Sequence, residues 1–376
     1  MSADEEVRPL PDRTDRSSER RTSPDEPSRR EALRLSVVLW SIAGVFALIT
    51  VARSQQVDIP LRDPGGRMFS GRLQSAFTLG LILVAVDAAA RTLWRNRTLR
   101  GFLPTTLRTL RERWTRRRTA LAVSGLVGYH VVYVCYRNLK SWDAFNTDRD
   151  RQLLDFDRAL FLGHSPAQLL HGLLGTDHVA APLAFFYETF VYVVVAAVVG
   201  SVALLPRAKD AYVMLFAGVW VWILGVGSYY LVPSLGPFAS AAEEFATLPP
   251  NGVSTSQAEY LVDRAHLLAD PAAPDAFASI SAFASLHTAF TCAILLVALH
   301  LRMRLLGVVM ACYLFLVMVA TIYFGMHFVI DDVAGIAIAA AAVTLARLTV
   351  HWPRLDARDR IEARAPIEAR IEDEAG

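Results

Sequence analysis

Long apolar runs separated by short polar stretches set the pattern of this chain. Runs approaching twenty residues are long enough to cross a bilayer as helices. They predict eight helices, over about 34–52, 73–93, 119–136, 180–205, 210–232, 283–301, 304–324 and 328–350. The stretch Asp155 to Leu174 is less apolar and carries Arg158, His164 and His171, so it predicts an interfacial or loop helix rather than a span. The fold class is therefore all-α, a polytopic membrane helical bundle of about eight transmembrane helices.

Composition agrees: 53% of the 376 residues are hydrophobic and only 20% are charged. A net charge of +2 says little about partners, whereas the placement of the arginines says more. Arg29, Arg30 and Arg34 precede the first span, and Arg95 to Arg118 follow the second. Arg207 with Lys209 follows the fourth, and Arg302 with Arg304 the sixth. Positive residues mark cytoplasmic loops, and one topology puts every cluster on that side, with both termini cytoplasmic. The Arg-rich segment then serves topology and contact with anionic lipid headgroups; nucleic-acid binding has no support. Arg-rich, Lys-poor, Ala- and Val-rich usage suggests a high-GC bacterium, hence a plasma membrane. Residues 1–33 are polar and charged, which predicts a disordered cytoplasmic tail. Residues 34–118 hold two spans and the Arg-rich loop, 119–350 six spans, and 351–376 a charged cytoplasmic tail. Cys135, Cys292 and Cys312 fall inside apolar runs and form no disulfide or metal pattern.

In this topology four unusual motifs share the extracytoplasmic face. His327 and Asp331 stand four residues apart in Tyr323-Phe-Gly-Met-His327-Phe-Val-Ile-Asp331-Asp-Val-Ala-Gly335. On a helix that spacing stacks imidazole and carboxylate on one face. Ionisable side chains at a membrane edge are costly and point to function. Ser285-Leu-His287 opens another apolar run, Arg137-Asn-Leu-Lys140 closes the third span, and Tyr229 to Phe238, with Pro233, Gly236 and Pro237, closes the fifth. A histidine held by a carboxylate can act as base or nucleophile. A second histidine can protonate a leaving alkoxide, and Arg137 and Lys140 can neutralise a phosphoryl group. Blander readings stay open for each: a structural His–Asp hydrogen bond, an interfacial His287, and cations that snorkel to headgroups. Ligand type alone would permit zinc on His287, His327 and Asp331, but no further clustered ligand supports it. We expect neither metal nor cofactor.

Ser285-Leu-His287 and Tyr323-x-x-x-His327-x-x-x-Asp331, at the outer ends of the fourth and sixth helices of a six-helix core, resemble the type-2 phosphatidic acid phosphatase superfamily. The likeness is greater to its inositol-phosphorylceramide synthase-like, or inositolphosphotransferase, branch. That branch has Ser-Leu-His where the phosphatases usually have Ser-Gly-His, and a Tyr-Pro-rich loop before it, as at Tyr229 to Phe238. The resemblance covers about 119–350. It implies that His327 takes the phosphoryl group, Asp331 orients it and His287 protonates the leaving alcohol. Ser285, with Arg137, Lys140 and Tyr323, would hold the phosphate, without metal. The phosphatases' Lys-x6-Arg-Pro string is absent, Thr321 stands where they place an arginine, and Ala284 where a proline often precedes Ser-Leu-His.

The resulting expectation is an integral-membrane phosphotransferase. It would move a phosphoryl-containing head group, inositol phosphate among the candidates, between a lipid-linked donor and an alcohol acceptor through a phosphohistidine. Its partners are a lipid or polyprenyl-linked phosphate and membrane lipids. The alternative is a lipid-phosphate or polyprenyl-phosphate phosphatase. From other classes, a transporter predicts ionisable residues at mid-membrane and repeated halves, neither of which the sequence displays. An inactive scaffold predicts that replacing the histidines changes nothing.

Overall fold

The computed structural model describes residues 27–96 and 101–351, so most of both expected tails lies outside the described residues. The helices are α1 (Arg29–Val57), α2 (Ser70–Asn96), α3 (Phe102–Arg113), α4 (Arg116–Trp142), α5 (Asp150–Leu160), α6 (Pro166–Leu174) and α7 (Ala180–Glu188). They continue with α8 (Phe190–Leu204), α9 (Ala208–Leu231), α10 (Pro237–Ser240), α11 (Gly252–Ala269), α12 (Leu286–His300), α13 (Arg304–Tyr323) and α14 (Val329–Val350).

Seven of the eight expected spans are long and apolar enough to cross a membrane, with α7 and α8 together forming the fourth. The remaining one, the sixth in order, is α12, which has only 15 residues, about 22 Å of helix. Its shortness has a physical cause: residues 276–285 enter the bundle as non-helical backbone before the helix begins. Such backbone survives in an apolar interior only if its amides find partners. Here serines supply many of them. Ala278 N–H donates to Ser141 Oγ, Phe283 N–H to Ser234 Oγ and Ala284 N–H to Ser228 Oγ. Ala282 N–H donates to the Ser234 carbonyl and Ser285 N–H to that of Asp331.

The expected boundaries shift at three places. α1 begins at Arg29, inside the predicted tail, because the Ser28 hydroxyl caps it by accepting from Glu31 N–H. The Arg-rich loop contains α3, docked on α2 with Arg113 paired to Asp87 at 3.0 Å. The predicted loop helix between Asp155 and Leu174 is two short helices, α5 and α6.

α9 is apolar all round, as a helix buried on every side must be, and it packs against α14, α4, α8 and α12. The first two spans belong to the same bundle: α1 lies along α4, and α2 along α8. Their connection is tied down by Arg62, which donates to the carbonyls of Ala276 and Pro271, both at 2.7 Å. Its own backbone is clasped by the Asn138 amide.

Candidate active site

His327 stands in the turn between α13 and α14, held from three directions. The Thr321 carbonyl accepts from Met326 N–H and His327 N–H. The Asp157 carboxylate of α5 accepts from Val329 N–H at 2.7 Å and from Ile330 N–H at 3.4 Å, closing the start of α14, where Phe328 offers no capping side chain. Burial pushes the Asp157 carboxyl up and the two amides draw it back. The third hold is the Tyr229–Phe238 segment. Asp150 accepts from Leu235 and Gly236 N–H, and Phe238 N–H donates to the Gly325 carbonyl. Gly236 has φ +108°, and a Cβ there would lie 2.7 Å from the Met326 carbonyl oxygen. Only glycine permits both the conformation and the contact.

α12 is brought to this turn by one close approach. A Cβ on Gly335 would lie 2.5 Å from the Ser285 carbonyl oxygen, so α14 meets the start of α12 nearer than any other residue allows. As a result His287 Nδ1 is 3.4 Å from His327 Nε2. The His287 ring is stacked on Tyr187 at 4.4 Å and lies against Phe190 at 4.3 Å.

The hydrogen bonds assign the tautomers. His327 Nδ1 is 3.0 Å from the Ala282 carbonyl, which can only accept. Nδ1 therefore carries the proton, and Nε2 presents its lone pair to His287. Asp331 Oδ2 is farther, 3.5 Å from Nδ1, and accepts from Phe328 N–H, while Oδ1 has no hydrogen-bond partner. Burial holds the His327 imidazole down at about 4; the charge of Asp332 opposes that fall and Lys140 adds to it.

Both histidines line a cavity of about 340 Å³. Arg72, Arg137 and Lys140 line it as well, with His130, Ser279, Ser281 and a group of tyrosines, but no carboxylate is among its lining residues. Arg137 donates to Ser279 Oγ at 2.7 Å, and its buried Nε has no partner. Arg72 lies over the Tyr133 ring at 4.7 Å and Lys140 over Tyr229 at 5.3 Å. The other flank is apolar, formed by valines of α8 and by Ala76. A low-dielectric pocket with unpaired cations and no acid favours an anion, and its apolar flank favours a hydrocarbon chain. Among the described residues, no three His, Cys, Asp or Glu side chains converge to hold a metal ion.

Of the residues singled out by sequence, the cavity thus gathers His287, His327, Arg137 and Lys140. Asp331 stands behind His327, fully buried. Ser285 and Tyr323 do not line the cavity. Ser285 Oγ caps α12 by accepting from Thr288 N–H, and the Tyr323 hydroxyl donates to the carbonyls of Gly175 and Thr176. Thr321, in the position where an arginine is usual, donates to Asp332 at 3.0 Å, and Thr288 donates to the other oxygen. A buried carboxylate with two hydroxyl donors occupies this place. Sequence reasoning missed Arg72, Tyr133, His130 and Tyr260 as cavity residues. The signals were a basic residue just before the second span and a histidine within the third.

The PAP2 superfamily profile matches residues 151–345, just over half of the chain. The match contains both histidine motifs and excludes the first three spans. No curated protein and no solved structure matches. With the family's two histidine motifs meeting on one cationic cavity, the chain belongs to the PAP2 superfamily of lipid-phosphate phosphatases and phosphotransferases.

Proposed function

We propose that this protein is a phosphotransferase that takes a phosphoryl-containing head group from a lipid-linked donor and passes it, through a phosphohistidine on His327, to an alcohol. The observation that carries this reading is the facing pair, His327 Nε2 and His287 Nδ1 at 3.4 Å, on a cavity with three cations and no lining carboxylate. In the first step Nε2 bonds to phosphorus as the bond to the leaving oxygen breaks, and the His287 Nδ1 proton goes to that oxygen. The Ala282 carbonyl and the Asp331 carboxyl steady the Nδ1 side of the phosphohistidine. In the second step an acceptor hydroxyl attacks phosphorus, His287 takes its proton, and the P–N bond breaks.

Arg137 and Lys140 bind the phosphoryl oxygens in this scheme, with charge-assisted hydrogen bonds that strengthen as charge develops. Ser285 and Asp332 act through backbone and packing. The resemblance of Ser285-Leu-His287 and the Tyr229–Phe238 loop to the inositolphosphotransferase branch supports a polyol phosphate head group such as inositol phosphate. The arginine clusters at the opposite helix ends support an extracytoplasmic position for the site.

The test is phosphoryl transfer and release in lipid–detergent micelles with phosphorus-labelled native lipids, with and without chelator, comparing wild type and His327→Ala. A labelled new lipid that disappears in the variant supports the transferase. Free phosphate alone makes the enzyme a phosphatase, and equal turnover by both proteins removes His327 from the mechanism. Activity lost to chelator refutes a metal-free route.

A further inference from the structure

The cavity does not end at the histidines, and one of its walls lies outside the segment that carries the family resemblance. Val191, Val194, Val195, Val198 and Val199 of α8 line it, a spacing that puts most of them on one helix face. Opposite them α2 contributes Arg72, Ser75 and Ala76, whose i, i+3, i+4 spacing puts them on one helix face. Deeper along the pair the helices close on one another, where a Cβ at Gly80 would touch Val199 Cγ1 at 3.6 Å. Near the histidines the slot is accessible from the side of α8, where the lining residue Val191 is 44% exposed. From Phe190, beside His287, to Val199 is about 13 Å of helix.

The slot therefore runs from a cationic end with two histidines to an apolar floor, and its side faces where lipid chains lie. We infer that α2 and α8 together form the binding slot for the hydrocarbon chain of the phosphate-bearing substrate, with Arg72 at its mouth, so that a helix outside the six-helix core selects the substrate's chain. This rests on the reading of the histidine site given above. The occupant is a chain and not a second polar group, because beyond Arg72 and Ser75 the α2 and α8 walls consist of Ala76 and valines. Slot length sets the limit: roughly ten methylenes fit along the 13 Å of α8, and the rest of a longer chain must leave through the lateral opening.

The variant Ala76→Phe fills the slot from the α2 side, and Leu81→Phe, on the exposed surface of the same helix, is its control. The probe is dodecyl phosphate carrying a terminal diazirine, photolysed in micelles with and without excess unlabelled dodecyl phosphate or dodecanol. We expect labelling of residues 73–80 and 191–199 that the phosphate competes and the alcohol does not. It should fall at least tenfold in Ala76→Phe and stay unchanged in Leu81→Phe. Labelling elsewhere, or labelling that dodecanol competes equally, overturns the inference, as does its absence. For monomeric alkyl phosphates taken from water, kcat/KM should climb by up to about fourfold per methylene in wild type. In Ala76→Phe it should stay flat. His327→Ala keeps the two failures apart. If it transfers phosphate normally, the proposed mechanism fails, whereas the labelling map still decides the slot.

Discussion

His327 should remain a neutral imidazole far below the pH at which an ordinary histidine gains its proton. Burial between α12 and α14 lowers its pKa from 6.5 to about 4, a difference worth about 3 kcal/mol at roughly 1.4 kcal/mol per unit. Between these two values the unfolded chain binds a proton at this residue and the folded protein does not. Stability from this residue is therefore complete above about pH 6.5 and is lost as the pH falls to about 4. At pH 5.5 His327 should be more than roughly nine-tenths neutral, where a solvated imidazole would be roughly one-tenth neutral. The nucleophilic lone pair on Nε2 thus stays available in mildly acidic surroundings. The assay is NMR of protein labelled at the histidine ring carbons, titrated in micelles from pH 8 to 3.5, with the His327 resonance assigned by its loss in His327→Ala. His287 lies 3.4 Å away, so the two rings titrate as a coupled pair. A His327 midpoint near 6.5 would refute the reasoning, because it would mean that water reaches the turn before α14. The acid limb of kcat/KM provides a second reading of the same midpoint in the free enzyme.

Gly236→Ala should strain the backbone by about 1–3 kcal/mol and push the Met326 carbonyl, lowering kcat on the order of a hundredfold through a displaced His327. Turnover within twofold of wild type would show that the loop does not position the turn. Asp157→Ala leaves two amides at the start of α14 without their acceptor and should cost about 2–4 kcal/mol in thermal or denaturant unfolding. Asp157→Asn should recover part of that through one remaining acceptor. Thr321→Val and Thr288→Val each remove one donor from buried Asp332 and should cost about 1–3 kcal/mol. The double variant should be non-additive, since both hydroxyls serve one carboxylate. Arg137→Gln should weaken inhibition by inorganic phosphate by about tenfold or more, the value of a lost charge-assisted bond; an unchanged inhibition constant would take Arg137 out of phosphate binding.

Much of this protein could be read from its sequence, because the bilayer imposes simple rules. An uninterrupted apolar run must become a helix to satisfy its own backbone. The helices from α1 to α14 that carry such runs were visible for that reason. The two histidine motifs were legible because polar groups in apolar surroundings stand out. Their meeting was not: the 3.4 Å between His287 and His327 depends on the space left by Gly335 and on residues 276–285 entering as non-helical chain. Likewise, the spacing of His327 and Asp331 suggested a direct hydrogen bond. The turn gives the nearer place to the Ala282 carbonyl, 45 residues away in sequence. Tyr323 and Ser285 sat in the right strings, yet helix rotation turns one hydroxyl to the Gly175 carbonyl and spends the other on a helix cap. Arg72 gave the opposite case, an unremarkable residue in the sequence that the packing of α2 on α8 brings into the cavity. Local apolar pattern thus determined which segments cross and where polar chemistry gathers along the chain. Which side chains share a cavity was decided only by helix packing, because rotation and close approach are set by neighbours distant in sequence.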